Sequence, residues 1–339
     1  ADQSMETDIF RALTNSDGTG VRIGILSDSI HYVIGGDIVD GILTGSASQN
    51  SGDLPPGIRV VDPGPSSGAT DEGAGMAELI HDVAPGADLS FASAFTGYFE
   101  FAENILALGN DAGFPTEVIV DDVIYFIEPV YQDGPIALAA QEVYDEGIAY
   151  FSAAGNNSNR AHEAPFTDVT PGAVNAVFPP DGSDLHDFGA ASGGASDRFL
   201  RVTAAPGESV RVALHWKNPF GGTLAQGPGA VADLDLYVLR NTSLPITEGA
   251  IIESSIDFQG TPGSPSGDPV EFVNLFNFGT EPETVYIAVD MAAPSDTAFE
   301  YPESIFLTVV GGQIEDPEYF GARSLYGHVA AAGASAIGA

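Results

Sequence analysis

The chain has 339 residues, enough for two domains at about 150 residues each, and 44% of them are hydrophobic, which supports a sizeable core. Ten Lys and Arg against 48 Asp and Glu give a net charge of −38, with Lys217 the single lysine. That balance excludes a general nucleic-acid binder or a protein drawn to anionic membranes. The absence of cysteine excludes disulfides and thiol chemistry, and no apolar run reaches the ~20 residues of a membrane span.

High salt screens such self-repulsion, so the acidity fits a high-salt environment; a solvated acidic surface on a secreted protein is the alternative. Ala1 to Asp8 carry no basic segment followed by an apolar one. The chain is therefore either cytoplasmic or already relieved of its signal.

In chain order, VRIGIL (21–26) reads as a buried parallel strand ending in Ser27-Asp28-Ser29. IRVVD (58–62) is a second strand and 63–71 a loop. A helix is predicted from Glu72 to Val83, with Gly73, Met76, Ala77, Leu79 and Ile80 on its inner face and Ala84-Pro85-Gly86 stopping it. A strand over 87–95, a helix through Phe101 and Leu106, a strand over 116–126, a helix over 135–147 and a strand over 148–156 follow. This alternation predicts a parallel sheet covered by helices, with sites at the carboxyl ends of its strands.

From Arg198 to Val310 the pattern changes to seven alternating segments without helical periodicity, which predicts an antiparallel β-sandwich. GASAIGA (333–339) returns to the small-residue strand type of the first half. The fold class is thus α/β, with an α/β domain over 1–190, an inserted sandwich over 191–312 and a return to the α/β domain over 313–339.

Three landmarks stand in order: IGILSDS with Asp28, DEGAGMAELIHDVAPGADLSFASAF with Glu72, and YFSAAGNN with Asn156. Together they resemble the subtilisin-like serine peptidases. In that family the first landmark carries the catalytic Asp, the second a catalytic His at a helix start, and the third the Asn that donates to the oxyanion. The resemblance implies Asp28 as the acid, Glu72 in the place of the His and Asn156 as the oxyanion donor. The sedolisin branch of the fold also uses a Glu base, with an Asp one helical turn later and an Asp in the oxyanion hole. Here those positions hold Met76 and Asn156. Asp71 and the pair Asp121-Asp122 are the candidates for a second carboxylate beside Glu72. A neighbouring carboxylate lets such a pair share a proton and act at acidic to neutral pH.

The implied activity is peptide-bond hydrolysis, with a peptide or protein substrate laid against strand edges at Ser90, Ala92, Asp122 and Ile124. The implied location is extracellular or at the cell surface. The family's Gly-Thr-Ser-x-Ala-x-Pro nucleophile motif has no match, and GASAIGA aligns with a strand upstream of it. On this reading the chain alone is inactive, and the serine comes from a remaining C-terminal segment, with that segment or a neighbouring subunit covering the open sheet. The alternative is a catalytically inactive scaffold or surface assembly protein.

The predicted sandwich resembles the prepeptidase C-terminal module through HWKNP, ADLDLYVL, DPVEFVNLFN and TVYIAV. No cofactor is required. Asp233 and Asp235 alternate on one strand face and are candidates for Ca²⁺, against a plain solvated face. The six histidines show no zinc-binding spacing.

Overall fold

The computed structural model describes residues 2–111, 113–169, 184–292 and 301–338. They fall into two compact units, one of residues 1–125, 135–155 and 327–339, the other of 126–134 and 156–326. The first unit contains α1 (Thr7–Thr14), β1 (Arg22–Ser27), β2 (Asp37–Val39), β3 (Ile42–Thr44), α2 (Ala47–Ser51), β4 (Arg59–Asp62), α3 (Glu72–Val83), β5 (Asp88–Ser93), α4 (Tyr98–Gly109), β6 (Val118–Asp121), α5 (Pro135–Asp145) and β7 (Ala149–Ala153). The second contains β8 (Ala161–Ala164), α6 (Phe188–Ser192), β9 (Leu200–Ala204), β10 (Ser209–Trp216), β11 (Leu234–Leu239), β12 (Ile251–Ser255), β13 (Gly260–Thr261), β14 (Ser264–Pro265), β15 (Val270–Phe276), β16 (Glu283–Met291), β17 (Ile305–Val310) and β18 (Gln313–Ile314). The chain then returns to the first unit as β19 (Ala334–Ile337).

Among the described residues, eight strands form one sheet in the order β19-β7-β6-β1-β5-β4-β3-β2. Neighbours from β19 to β4 are parallel, and β3 and β2 extend the sheet as an antiparallel ribbon. The alternation of side chains along β1 explains why its sequence is apolar throughout. Ile25 packs with Phe91, Ala74 and Ala77 beneath α3. Gly24 faces the other way, where a Cβ would lie 3.2 Å from Leu108 of α4. Against expectation, Leu79 of α3 is 55% exposed. The helix buries Gly73 and Ala77 as expected, with Ala74, because small residues let its axis approach the sheet closely, and Met76 and Ile80 pack partly buried against the same core.

All seven alternating segments between 198 and 310 appear as strands. A four-stranded sheet, β15-β10-β17-β8, and a five-stranded sheet, β12-β11-β16-β9-β18, share one apolar core. Trp216, Leu214, Leu236, Ile287 and Leu307 are fully buried there, and the Trp216 indole donates to the Ala232 carbonyl at 3.2 Å. The second unit begins before 191 because β8 pairs with β17, Ala164 opposite Ile305. It extends past 312 because β18 pairs with β9, and Arg201 forms an ion pair with Asp316.

Asp233 and Asp235 do not form a solvated face; both are buried. Asp233 accepts from the Gln259 amide at 2.8 Å and Asp235 from the Tyr237 hydroxyl at 3.0 Å. Burial pushes the Asp233 carboxyl up to about 7 and that of Asp235 up to about 6. A carboxyl whose pKa is raised by folding stabilises the fold fully below its unfolded value near ~4 and loses that contribution as pH rises through the folded value. Asp233→Asn keeps the acceptor for Gln259 and removes the ionisation. Thermal melts are expected to show equal stability of variant and native protein at pH 4 and a more stable variant at pH 8. A native sandwich as stable at pH 8 as at pH 4, with no gain in the variant, contradicts the assignment.

Candidate active site

Asp28 leaves the carboxyl end of β1 and Asp122 that of β6. These strands are neighbours, with Leu26 in register with Asp121, so Asp28 lies one residue further past that register pair than Asp122 does. Asp28 is buried and accepts from Ser29 N at 2.5 Å, Thr70 N at 2.6 Å, Thr70 Oγ1 at 2.7 Å and, at 3.4 Å, Gly73 N. Burial works against its charge, but the Thr70 hydroxyl and the amides of Thr70, Ser29 and Gly73 outweigh it and hold the pKa below the ordinary value. Asp28 is therefore a fixed anion that docks the start of α3, where unpaired amides and the helix dipole favour negative charge.

Asp71 precedes α3 in the left-handed region, at φ 56°. Its carboxylate accepts from Ser29 Oγ at 2.7 Å and from the amides of Tyr32, Val33 and Ile34 at 3.0, 2.5 and 2.9 Å. Asp71 thus ties the loop after β1 to the helix start, and is no free partner for Glu72. The close approach needs Gly73: a Cβ there would stand 2.4 Å from the Phe91 ring and 2.6 Å from the Ser29 carbonyl. Glu72, the first residue of α3, is left exposed beside this anchored turn.

A cleft of about 610 Å³ opens along α3. Its lining comprises Asp53, Glu72, Gly75, Met76, Glu78, Leu79, Asp82 and Asp122. Glu72 and Asp122 thus both line this cleft. Burial pushes the Asp122 carboxyl up to about 6, with the charges of Glu72 and Asp121 adding to it and the Ser27 hydroxyl opposing it. One carboxyl oxygen of Asp122, Oδ1, is buried without a hydrogen-bond partner.

Asp121 is turned the other way. It accepts from Ser152 Oγ at 2.7 Å and lies 3.3 Å from Nε2 of His328. All three side chains are buried, and the His328 ring meets Phe101 edge-on, with centroids 5.2 Å apart. The cluster pins the returning segment 327–330 beneath the sheet. Serine, histidine and aspartate are all present, yet the Ser152 hydroxyl and the His328 ring converge on the same aspartate oxygen and are sealed from solvent, so this is a structural cluster.

The expected substrate edge at Ser90 and Ala92 is not an edge. β5 is hydrogen-bonded to β1 on one side and β4 on the other, and both residues are buried. Ile124 is half-buried two residues past Asp122, and Asn156 is exposed and belongs to the second unit. Among the described residues no three His, Cys, Asp or Glu side chains are arranged to hold a metal. Asp233 and Asp235 alone fall short of the six to eight oxygens Ca²⁺ takes.

No family model matches this chain, and no curated protein is significantly similar to it. The site therefore rests on its own geometry. Sequence reasoning missed Asp53, Glu78 and Asp82 as lining residues. The signal for Asp82 was present, because Glu72, Met76, Leu79 and Asp82 recur every three to four residues and so share one helix face.

Proposed function

We propose that the chain forms the greater part of a subtilisin-like serine endopeptidase in which Glu72 replaces histidine as the general base. The observation that supports it best is a carboxylate pair, Glu72 and Asp122, lining one cleft, with Glu72 held at its helix start by the Asp28 and Asp71 anchors. In the proposed reaction Glu72 accepts the proton of a serine hydroxyl as the Oγ–C bond forms and the carbonyl electrons move to oxygen. It returns that proton to the leaving amine as the C–N bond breaks. Asp122 and Ile124 are assigned to the substrate-binding wall.

The serine is assigned to a polypeptide segment outside this chain, seated on the β7–β19 side of the sheet. Phe151 and Ile337 are exposed there, as a surface awaiting a cover requires. The enzyme is assigned to the extracellular space or the cell surface, in high salt. Ca²⁺ at Asp233 and Asp235 has no part in the proposed chemistry.

A second reading, an inactive scaffold, is favoured by the cleft itself: among the described residues lining it there is no Ser, Thr, Cys or Lys. A fluorophosphonate probe on the natively expressed protein separates the two. Covalent labelling of a serine within a Gly-Thr-Ser peptide is expected of the peptidase. A folded protein of known intact mass that takes no label supports the scaffold.

A further inference from the structure

Two histidines that the proposed chemistry does not use, His162 and His186, are buried against each other in the second unit. His162 lies on β8 and His186 in the segment between Asp184 and α6. Their Nε2 atoms are 3.3 Å apart. The Thr167 amide lies 3.1 Å from Nδ1 of His186, and the Tyr319 carbonyl lies 2.8 Å from Nδ1 of His162. Phe166 packs on His186 and Phe188 on both rings, with centroids 4.8 to 5.3 Å apart.

The backbone groups at the two ends fix every proton in between. An amide only donates, so Nδ1 of His186 accepts and carries no proton. A neutral ring holds one proton, which therefore sits on Nε2 of His186 and points at Nε2 of His162. That nitrogen accepts in turn, so the proton of His162 sits on Nδ1 and is donated to the Tyr319 carbonyl. The bonds run one way, from Thr167 through His186 and His162 to Tyr319, and all three exist only while both rings are neutral.

We propose that the His162–His186 pair is an acid-operated latch: it ties β8, the segment 184–187 and the turn at Tyr319 together while both rings are neutral, and releases them when either ring takes a proton. The latch is independent of the peptidase reading. It stands where the unit has least other support. β8 is the edge strand of its sheet, with β17 as its neighbour. The Ala161 carbonyl at the start of β8 accepts from the amides of Gly321 and Ala322 at 3.1 and 3.2 Å. The segment 184–187 hangs between the two sheets, with the His186 amide on the Val289 carbonyl of β16 at 2.8 Å and the Asp187 amide on the Thr167 carbonyl at 2.7 Å.

Neither ring has a place for an added proton. On Nε2 of His162 it faces the proton of His186, and on Nδ1 of His186 it faces the Thr167 amide. Either way one bond of the chain is lost and a charge is left buried without a partner. The neighbouring carboxylates are engaged elsewhere. Glu163, beside His162 on β8, bonds Arg323 and Tyr131. Asp168 accepts from the Tyr301 hydroxyl at 2.7 Å, and Asp187 from the amides of Gly189 and Asp197. On the Tyr319 side, Asp316 pairs with Arg201 and Asp197 accepts from the Tyr319 hydroxyl. Asp184 and Asp290 flank the backbone contacts of His186, and Glu318 precedes Tyr319; among the described residues no carboxylate is bonded to either ring. Burial accordingly holds both imidazoles below their ordinary range, His186 further because His162 faces it.

The sign follows from linkage. A ring held below its ordinary value contributes fully to closure above about 6.5, and that contribution weakens as the pH falls below it. The buried carboxyls of the same unit act in the opposite sense. Burial pushes Asp233, Asp235 and Glu271 up to about 7, 6 and 7, so their contribution to the fold grows as the pH falls. The shared core therefore holds in acid while the latch lets go.

Two measurements on the intact chain test this without turnover. Near pH 8, imidazole ¹⁵N resonances are expected to show the proton of His162 on Nδ1 and that of His186 on Nε2. Between about pH 7 and about pH 5, amide exchange protection at Thr167, Asp187 and Gly321, corrected for the intrinsic rate, is expected to fall at least about tenfold, while the β10 amides paired with β15 keep theirs. His162→Gln keeps an oxygen that can accept from His186 and gains no charge in acid, so it is expected to abolish the acid loss. A His162 proton on Nε2, a metal ion held between the two rings, or protection that does not change with pH overturns the latch, and each is read on the native chain whether or not the variant folds. An undiminished acid loss in folded His162→Gln overturns it as well.

Discussion

Replacing Glu72 with glutamine is expected, on the peptidase proposal, to lower kcat by about 10³-fold, within the 10²–10⁴-fold range typical of a positioned general base. The amide is close to isosteric but accepts no proton at working pH. Because Glu72 is exposed, the melting behaviour is expected to stay within about 0.5 kcal/mol of the native protein. KM is expected to change little, since the loss falls on the transition state. Peptide turnover measured beside thermal melts checks both halves. Native-like kcat in a folded Glu72→Gln protein removes Glu72 from the chemistry.

Gly73→Ala is expected to have the largest effect on the architecture of the site. The added Cβ meets the Phe91 ring at 2.4 Å and the Ser29 carbonyl at 2.6 Å. A ring can tilt, but a backbone carbonyl on the strand-end loop cannot move without taking Asp28 and the Asp71 anchor with it. Overpacking of this kind costs about 3 kcal/mol, against which alanine's better helix propensity returns under 1 kcal/mol. Gly75, two residues on in the same helix, meets nothing within 4 Å. Gly75→Ala is therefore expected to stabilise by about 0.5–1 kcal/mol. Denaturant unfolding of the two variants gives opposite signs on this account; destabilisation of both to the same degree means that helix propensity, not close approach, governs the site.

Much of the fold was legible because burial leaves a periodic trace. VRIGIL and the strands after it are apolar on both faces because helices cover both sides of the sheet. The seven sandwich strands alternate because each puts one face into the shared core. Glu72 at the start of α3 was legible from the acidic pair followed by small residues, since a helix that must approach a sheet closely needs Gly73 and Ala77. What escaped depends on who lies beside whom. Ser90 and Ala92 look like any strand until β4 is known to pair with β5 on the side away from β1. The segment AHEA carries no apolar alternation, and joins the sandwich only through β17, more than a hundred residues later. His328 finds Asp121 across 207 residues, a separation that no local pattern records. Asp121 and Asp122 are adjacent and chemically identical, and only the sheet decides that one is sealed with His328 while its neighbour lines the cleft.

The most direct measurement is a crystal structure of the natively expressed protein with a phosphonate bound covalently to its serine. On the proposed function, a Glu72 carboxylate oxygen is expected within about 2.6–3.2 Å of the serine Oγ. A phosphonate-bearing serine with Glu72 turned to solvent and a histidine at its Oγ would contradict it.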